Sequence, residues 1–237
     1  MNGILILTAV ELEAAGLARE LELPALAGLP YRAFGRGSTR IVPVGPGAAL
    51  LSAHWAAGLD GLTDPLVISA GVCGGLDPRL APGDLVLPTR ILGAGGEALP
   101  ISASAHARAL ALAGPRAETG LLATSASVLA TPEDKAALRA ATGAVAVDME
   151  SAPIVAAARA AGAPALVVRG VSDDAGSSVP AALSALVSPE GRVRGGRALL
   201  LALTQPQTLP RALALRRGSR LALAAVARVL AGLEAGA

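Results

Sequence analysis

Aromatic side chains are nearly absent from this chain: Tyr31, Phe34 and Trp55 are the only three in 237 residues. A core with so few rings must be filled by Leu, Val and Ala. Modules that hold RNA or single strands by stacking bases on aromatics are excluded, and no nucleic-acid partner is expected. Cysteine is scarcer still. Cys73 stands alone, which excludes an internal disulfide and fits a reducing compartment. His54 and His106 are the only histidines, so no Cys/His cluster offers a metal site. Long apolar runs are also missing, since none approaches the ~18 residues of a membrane span. MNGILILTAVELEA has no basic stretch before its short apolar run and meets Glu11 and Glu13 at once. It reads as a buried first strand rather than a signal peptide, and the expectation is a soluble cytoplasmic protein.

What is present points to a packed interior. Hydrophobic residues make up 53% of the chain against 16% charged, a balance that excludes disorder. Strand-like runs lie at 4–10, 31–34, 39–45, 65–72, 84–92, 120–129, 143–147 and 164–171. Several are continuously apolar, as in strands covered on both faces. Helical spacing falls between them, at 11–21, 47–58, 104–114, 132–142 and 150–162, with Thr131-Pro132-Glu133 a strong helix start. This alternation predicts an α/β three-layer sandwich around a mixed, largely parallel central sheet. Beyond Pro180 the alternation stops. A turn-rich connection at 188–197 precedes helical stretches at 197–204 and 209–235, so residues 1–180 are expected to form the α/β domain and 181–237 a helical extension packed on it. From position 190 onward eight Arg face only Glu190 and Glu234, although the formal net charge of the chain is +2. These Arg read as the wet faces of amphipathic helices, with attraction to an anionic surface as the alternative.

In such sheets ligands sit beyond the carboxyl ends of strands. That rule brings together Glu11 and Glu13 after the first strand, Gly45-Pro46-Gly47 after the third, and Gly71–Gly75 after the fourth. It adds two acidic segments, Asp148-Met149-Glu150 and Ser172-Asp173-Asp174. The GPG turn could offer backbone N–H groups to an anion or a ribose hydroxyl, or be only a turn. The glycines of GVCGG permit either close approach to a ligand or tight packing, and Cys73 among them reads as a structural thiol. A dinucleotide fold is discounted because the first turn, TAVELEA, has no glycine.

ILILTAVELEA, VGPGAAL, ISAGVCGGLDPRLAPGDLVLPTRI, GAVAVDMESAPIVAAARAAG and VVRGVSDD, in this order, resemble the nucleoside phosphorylase/nucleosidase superfamily. The likeness runs from the first strand to about Pro180, and its most specific part is the pairing of VDMES with VRGVSD. Methylthioadenosine/S-adenosylhomocysteine nucleosidases, futalosine hydrolases and the hopanoid-associated nucleoside phosphorylases are the groups it is most similar to, the last chiefly through the C-terminal section. The resemblance implies cleavage of the N-glycosidic bond of a purine nucleoside, one with a modified 5′ group. It implies that Met149 and Glu150 bind the ribose and that Asp173 serves N7 of the departing purine, oriented by Ser172. It also implies that Glu13 holds and deprotonates the attacking water. Gly45, Val72 and Gly74 would line the substrate through their backbones, and Val128 and Leu129 would face the base. Glu150 could instead merely begin the next helix, and Asp173 could merely cap a loop. Asp148 is expected to point away and pair with an Arg.

The pattern also departs from the family's. Val72 stands where hydrolytic members show Ser, and Val128 and Leu129 stand where an aromatic stacks on the base. Glu13 argues for water as nucleophile, hence hydrolysis without a cofactor. The alternative is phosphorolysis with inorganic phosphate as co-substrate, possible substrates then including an adenosylated hopanoid. Arg36, Arg40 and Arg90 are the candidate phosphate ligands, each more readily read as solvated or structural. A third reading is a nucleoside-binding protein without turnover. Peripheral membrane contact through the C-terminal helices is weighed against oligomer packing or a lid, and a homo-oligomer is expected. The role of Asp174 stays open.

Overall fold

In the computed structural model, residues 3–179 and 209–236 are described. The expected helix at 197–204 and the connection at 188–197 lie outside them.

One mixed sheet organises the chain. Its strands are β1 (Gly3–Thr8), β2 (Phe34–Arg36), β3 (Thr39–Pro43), β4 (Pro65–Gly75), β5 (Leu85–Val86), β6 (Arg90–Leu92), β7 (Ala98–Pro100), β8 (Leu122–Thr124), β9 (Ala146–Asp148) and β10 (Ala165–Asp173). The order is β2-β3-β1-β4-β9-β8-β6-β7, with β10 pairing β4 and β5. β1 runs parallel to β3 and β4, and β10 runs parallel to β4. β4 is the pivot. Its first part lies between β1 and β10, and its end, Gly74 and Gly75, pairs antiparallel with β9.

The helices are α1 (Glu11–Glu20), α2 (Leu51–Leu59), α3 (Ala103–Ala113), α4 (Pro132–Thr142), α5 (Ser151–Ala160) and α6 (Leu209–Ala235). Alternation along β1 sorts them into layers. Ile4 and Ile6 join a core with residues of α1, α3 and α6, while Leu5 and Leu7 face the other way, toward residues of α2 and α5. The fold is therefore the expected three-layer α/β sandwich. α6 lies against β10 so closely that a β-carbon on Gly170 would sit 2.7 Å from Ala222 Cα.

Several boundaries differ from expectation. The run at 84–92 splits into β5 and β6 around Pro88, which has no N–H for a ladder. The run at 120–129 keeps strand structure only over Leu122–Thr124. The helix expected from Gly47 starts at Leu51, because Gly47 adopts φ 62° inside a single 3-10 turn, Pro46–Ala48. Short edge strand β7 has no clear alternation and was not expected.

Candidate active site

The carboxyl ends of β1, β3, β4, β9 and β10 present two groups of charged side chains. The first is built around Arg169 of β10, which is fully buried. Its Nη2 lies 2.8 Å from Asp148 Oδ2 and donates to Ser69 Oγ at 2.7 Å and Ser151 Oγ at 3.1 Å. A buried guanidinium is tolerated only with such partners. Asp148 also accepts from the Thr124 hydroxyl at 2.9 Å and the Ser151 N–H at 3.1 Å. Asp148 thus pairs with an Arg and holds the start of α5.

Glu150 is thereby freed from serving the helix. It occupies the N-cap position of α5 but makes no capping bond of its own. Its Oε1 instead accepts from Gly47 N–H at 2.9 Å and its Oε2 from Met149 N–H at 3.3 Å. The GPG turn thus meets a carboxylate of the protein itself, Glu150. Gly47, not Gly45, makes the contact, since its left-handed backbone turns the N–H toward the carboxylate. Burial pushes the Glu150 carboxyl up to about 7, against the pull of Arg169; Asp148 and Glu13 add to the rise.

Glu13 reaches the same group from α1. Its Oε2 accepts from Ala9 N–H at 2.9 Å and Val10 N–H at 3.3 Å, and its Oε1 accepts from Val72 N–H at 2.9 Å. Burial raises its pKa, opposed by Arg169 and by those three N–H groups. A raised carboxylate fixed in place is suited to accept a proton from water. Val72 acts through its backbone alone.

The second group surrounds Asp173 at the end of β10. The Ser172 hydroxyl lies 2.6 Å from Asp173 Oδ1 and 3.1 Å from the Cys73 carbonyl oxygen. Lys135 of α4 donates to Asp173 Oδ2 at 2.5 Å and to the Asp174 carbonyl at 2.6 Å. A β-carbon on Gly74 would stand 3.4 Å from Asp173 Oδ2, so the glycine-rich end of β4, a strand rather than the expected turn, flanks the carboxylate. The loop-capping duty falls to Asp174, whose Oδ1 accepts from Ser177 Oγ at 2.8 Å. Asp173 also lines a cavity of about 300 Å³ with Ser172, Ser177, Arg211 and Leu215.

Cys73 lies near the end of β4 between the two groups, and burial pushes its thiol well above the ordinary range. A thiol so protonated is not a nucleophile. Val128 is exposed on the loop after β8, whereas Leu129 packs partly against a small core of Leu76, Ala123, Ala144 and Val147. The candidate phosphate ligands are not brought to the site. Arg36 donates to the Glu22 carbonyl, Arg40 to the Gly37 carbonyl at 2.8 Å, and Arg90 is exposed on β6. Among the described residues no group of three His, Cys, Asp or Glu side chains could hold a metal ion.

Two site residues escaped the sequence reading, Arg169 and Lys135. Arg169 interrupts an apolar strand, PALVVRGV, and a charge in the middle of such a run was its signal. Lys135 lies in a helix that reads as amphipathic; its signal was that the chain contains no other lysine.

A family model described as the phosphorylase superfamily matches residues 4–200. The chain belongs to this superfamily. Solved structures share its fold at low identity. The 5′-methylthioadenosine/S-adenosylhomocysteine nucleosidase of Neisseria meningitidis, in complex with methylthio-immucillin-A, is 20% identical with a TM-score of 0.74, covering 100% of both chains. The corresponding nucleosidase of Colwellia psychrerythraea 34H, in complex with adenine, is 21% identical with a TM-score of 0.70, covering 96% of this chain and 92% of that one. Futalosine hydrolase of Helicobacter pylori is 16% identical with a TM-score of 0.73, covering 98% and 97%. No curated protein matches the sequence. In this member of the phosphorylase superfamily the two carboxylate groups lie at the carboxyl edge of one sheet.

Proposed function

We propose that this protein hydrolyses the N-glycosidic bond of a purine nucleoside carrying a modified 5′ group. The observation that carries the reading is the separation of duties among the carboxylates. Asp148 takes the capping work at α5 and Asp174 that of the loop after β10, which leaves Glu150 and Asp173 for a ligand, while Glu13 closes the start of α1 through Val10 N–H and is held at the same group by Val72 N–H. The structures with the same fold include nucleosidases in complex with methylthio-immucillin-A and with adenine.

In this reading Glu150 accepts from the ribose hydroxyls, beside the Met149 backbone, and its charge favours the positive sugar that forms as the bond breaks. Asp173 gives its proton to N7, so the electron pair of the C1′–N bond leaves on a neutral base. Glu13 takes a proton from water as the water oxygen bonds to C1′. Water is favoured over phosphate because Arg169, the cation of this group, is fully buried and spent on Asp148, Ser69 and Ser151. A phosphate facing Glu13 and Glu150 would meet negative charge instead.

The test is incubation with methylthioadenosine, S-adenosylhomocysteine, adenosine and inosine, with and without phosphate. Free base without phosphate is the expected result. Release that requires phosphate overturns hydrolysis, and no release from any of them overturns the enzymatic reading.

A further inference from the structure

The chain contains one lysine, and every other basic side chain among its 20 Lys and Arg is an arginine. That lysine, Lys135, is 1% exposed, and it is the only residue that α4 buries fully. Leu138 of α4 packs only partly against the small core, so the one side chain this helix buries fully is an ammonium, which runs against ordinary packing. Its partners are Asp173 Oδ2 and the Asp174 carbonyl, and no others are within hydrogen-bond reach among the described residues. For stability alone, an apolar residue in place of a buried ion pair is often as good or better. An arginine, used everywhere else in the chain, is a larger planar fork that cannot replace a compact ammonium in a closed site.

We propose that Lys135 is the positioning residue of the leaving-group step. It grips Asp173 by Oδ2 while Ser172 holds Oδ1, so the carboxyl cannot rotate away from the base. It also fixes the backbone at Asp174, which sets the direction in which the end of β10 points. When the Asp173 O–H bond breaks and the N7–H bond forms, the carboxylate left behind faces a positive charge already in place. The inference rests on the reading of Asp173 as the proton donor to the base.

The experiment compares Lys135→Met, Asp173→Asn and the double variant. Lys135→Met lowers kcat by about 100-fold with KM changed less than about threefold, because the interaction matters most as the base departs. The double variant is no slower than the slower single, as for two residues acting as one unit. Equal kcat for Lys135→Met and wild type, or losses that multiply in the double, overturns the proposal. Should Lys135→Met fail to fold, Lys135→Ala with added propylamine replaces it. Recovery of turnover with propylamine but not with propanol is expected, and equal recovery with both overturns the role of the charge. One readout is independent of activity. Protein labelled with 15N-lysine gives a single ammonium signal, which shifts in Asp173→Asn; an unmoved signal overturns the pairing. Absence of base release by wild type with an intact pair in this spectrum rejects the proposed function, not the contact.

Discussion

Gly71 and Glu13 are fitted to one another: a β-carbon on Gly71 would stand 2.6 Å from Glu13 Oε1. The same β-carbon would stand 2.8 Å from Arg169 Nη1, and the backbone there has φ 151°. The first glycine of GVCGG, inside β4, is therefore required by close approach of charged side chains and not by a turn. Gly71→Ala has to displace Glu13 or Arg169. The expected result is a loss of about 1–3 kcal/mol in stability, measured by thermal unfolding. Turnover below the unfolding temperature falls as well, because Glu13 no longer meets Val72 N–H. Unchanged turnover would mean that Glu13 does not act from this position.

Asp173→Asn keeps the shape of the side chain but cannot supply the proton that the proposed reaction assigns to it. Turnover should fall by about 10²- to 10⁴-fold, while a nucleoside analogue binds with modest loss, measured by calorimetry. Retained turnover removes Asp173 from the reaction.

Glu150 gives the pH dependence a sign. Its carboxyl is raised by burial from 4.5 to about 7. Folding therefore favours the protonated form, and that contribution to stability is full below about pH 4.5 and lost as pH rises through about 7. The melting temperature of the free protein should fall over this window, less so in Glu150→Gln. In the proposed reaction Glu150 binds the ribose in its ionised form, so kcat/KM should rise over the same window. An activity that declines from pH 5 to 8 contradicts the assignment.

Arg169 pairs with Asp148 inside the sheet and attracts Glu150 and Glu13 through space. Arg169→Met leaves Asp148 buried without its cation, which costs about 3–5 kcal/mol. Denaturant titration should show that loss, and the Arg169→Met/Asp148→Asn pair should recover part of it. Full stability of the single variant would show that Asp148 finds another partner.

Sequence pattern determined the layers and the edge of the sheet that carries the site. Continuous apolar runs at 65–72 and 164–171 can only be interior strands, and period-3.6 spacing gave α4 and α6 their bounds, Pro132–Thr142 and Leu209–Ala235. Glu150 and Asp173 were legible because carboxylates at the ends of buried strands need a reason to be there, and Glu13, inside α1, through the family resemblance. Shorter elements were not legible: β7 has three residues, and β5 and β6 depend on where Pro88 breaks the ladder. What only the tertiary structure decided is which carboxylate does what. Asp148 and Glu150 are two residues apart, as similar as two side chains can be in sequence, yet one meets Arg169 and the other Gly47. Asp173 and Asp174 are neighbours, yet one meets Lys135 with its carboxylate and the other with its carbonyl. Those partners come from segments 21, 38, 39 and 103 residues away. No local pattern encodes such distances; the packing of β4, β10 and α4 brings them together.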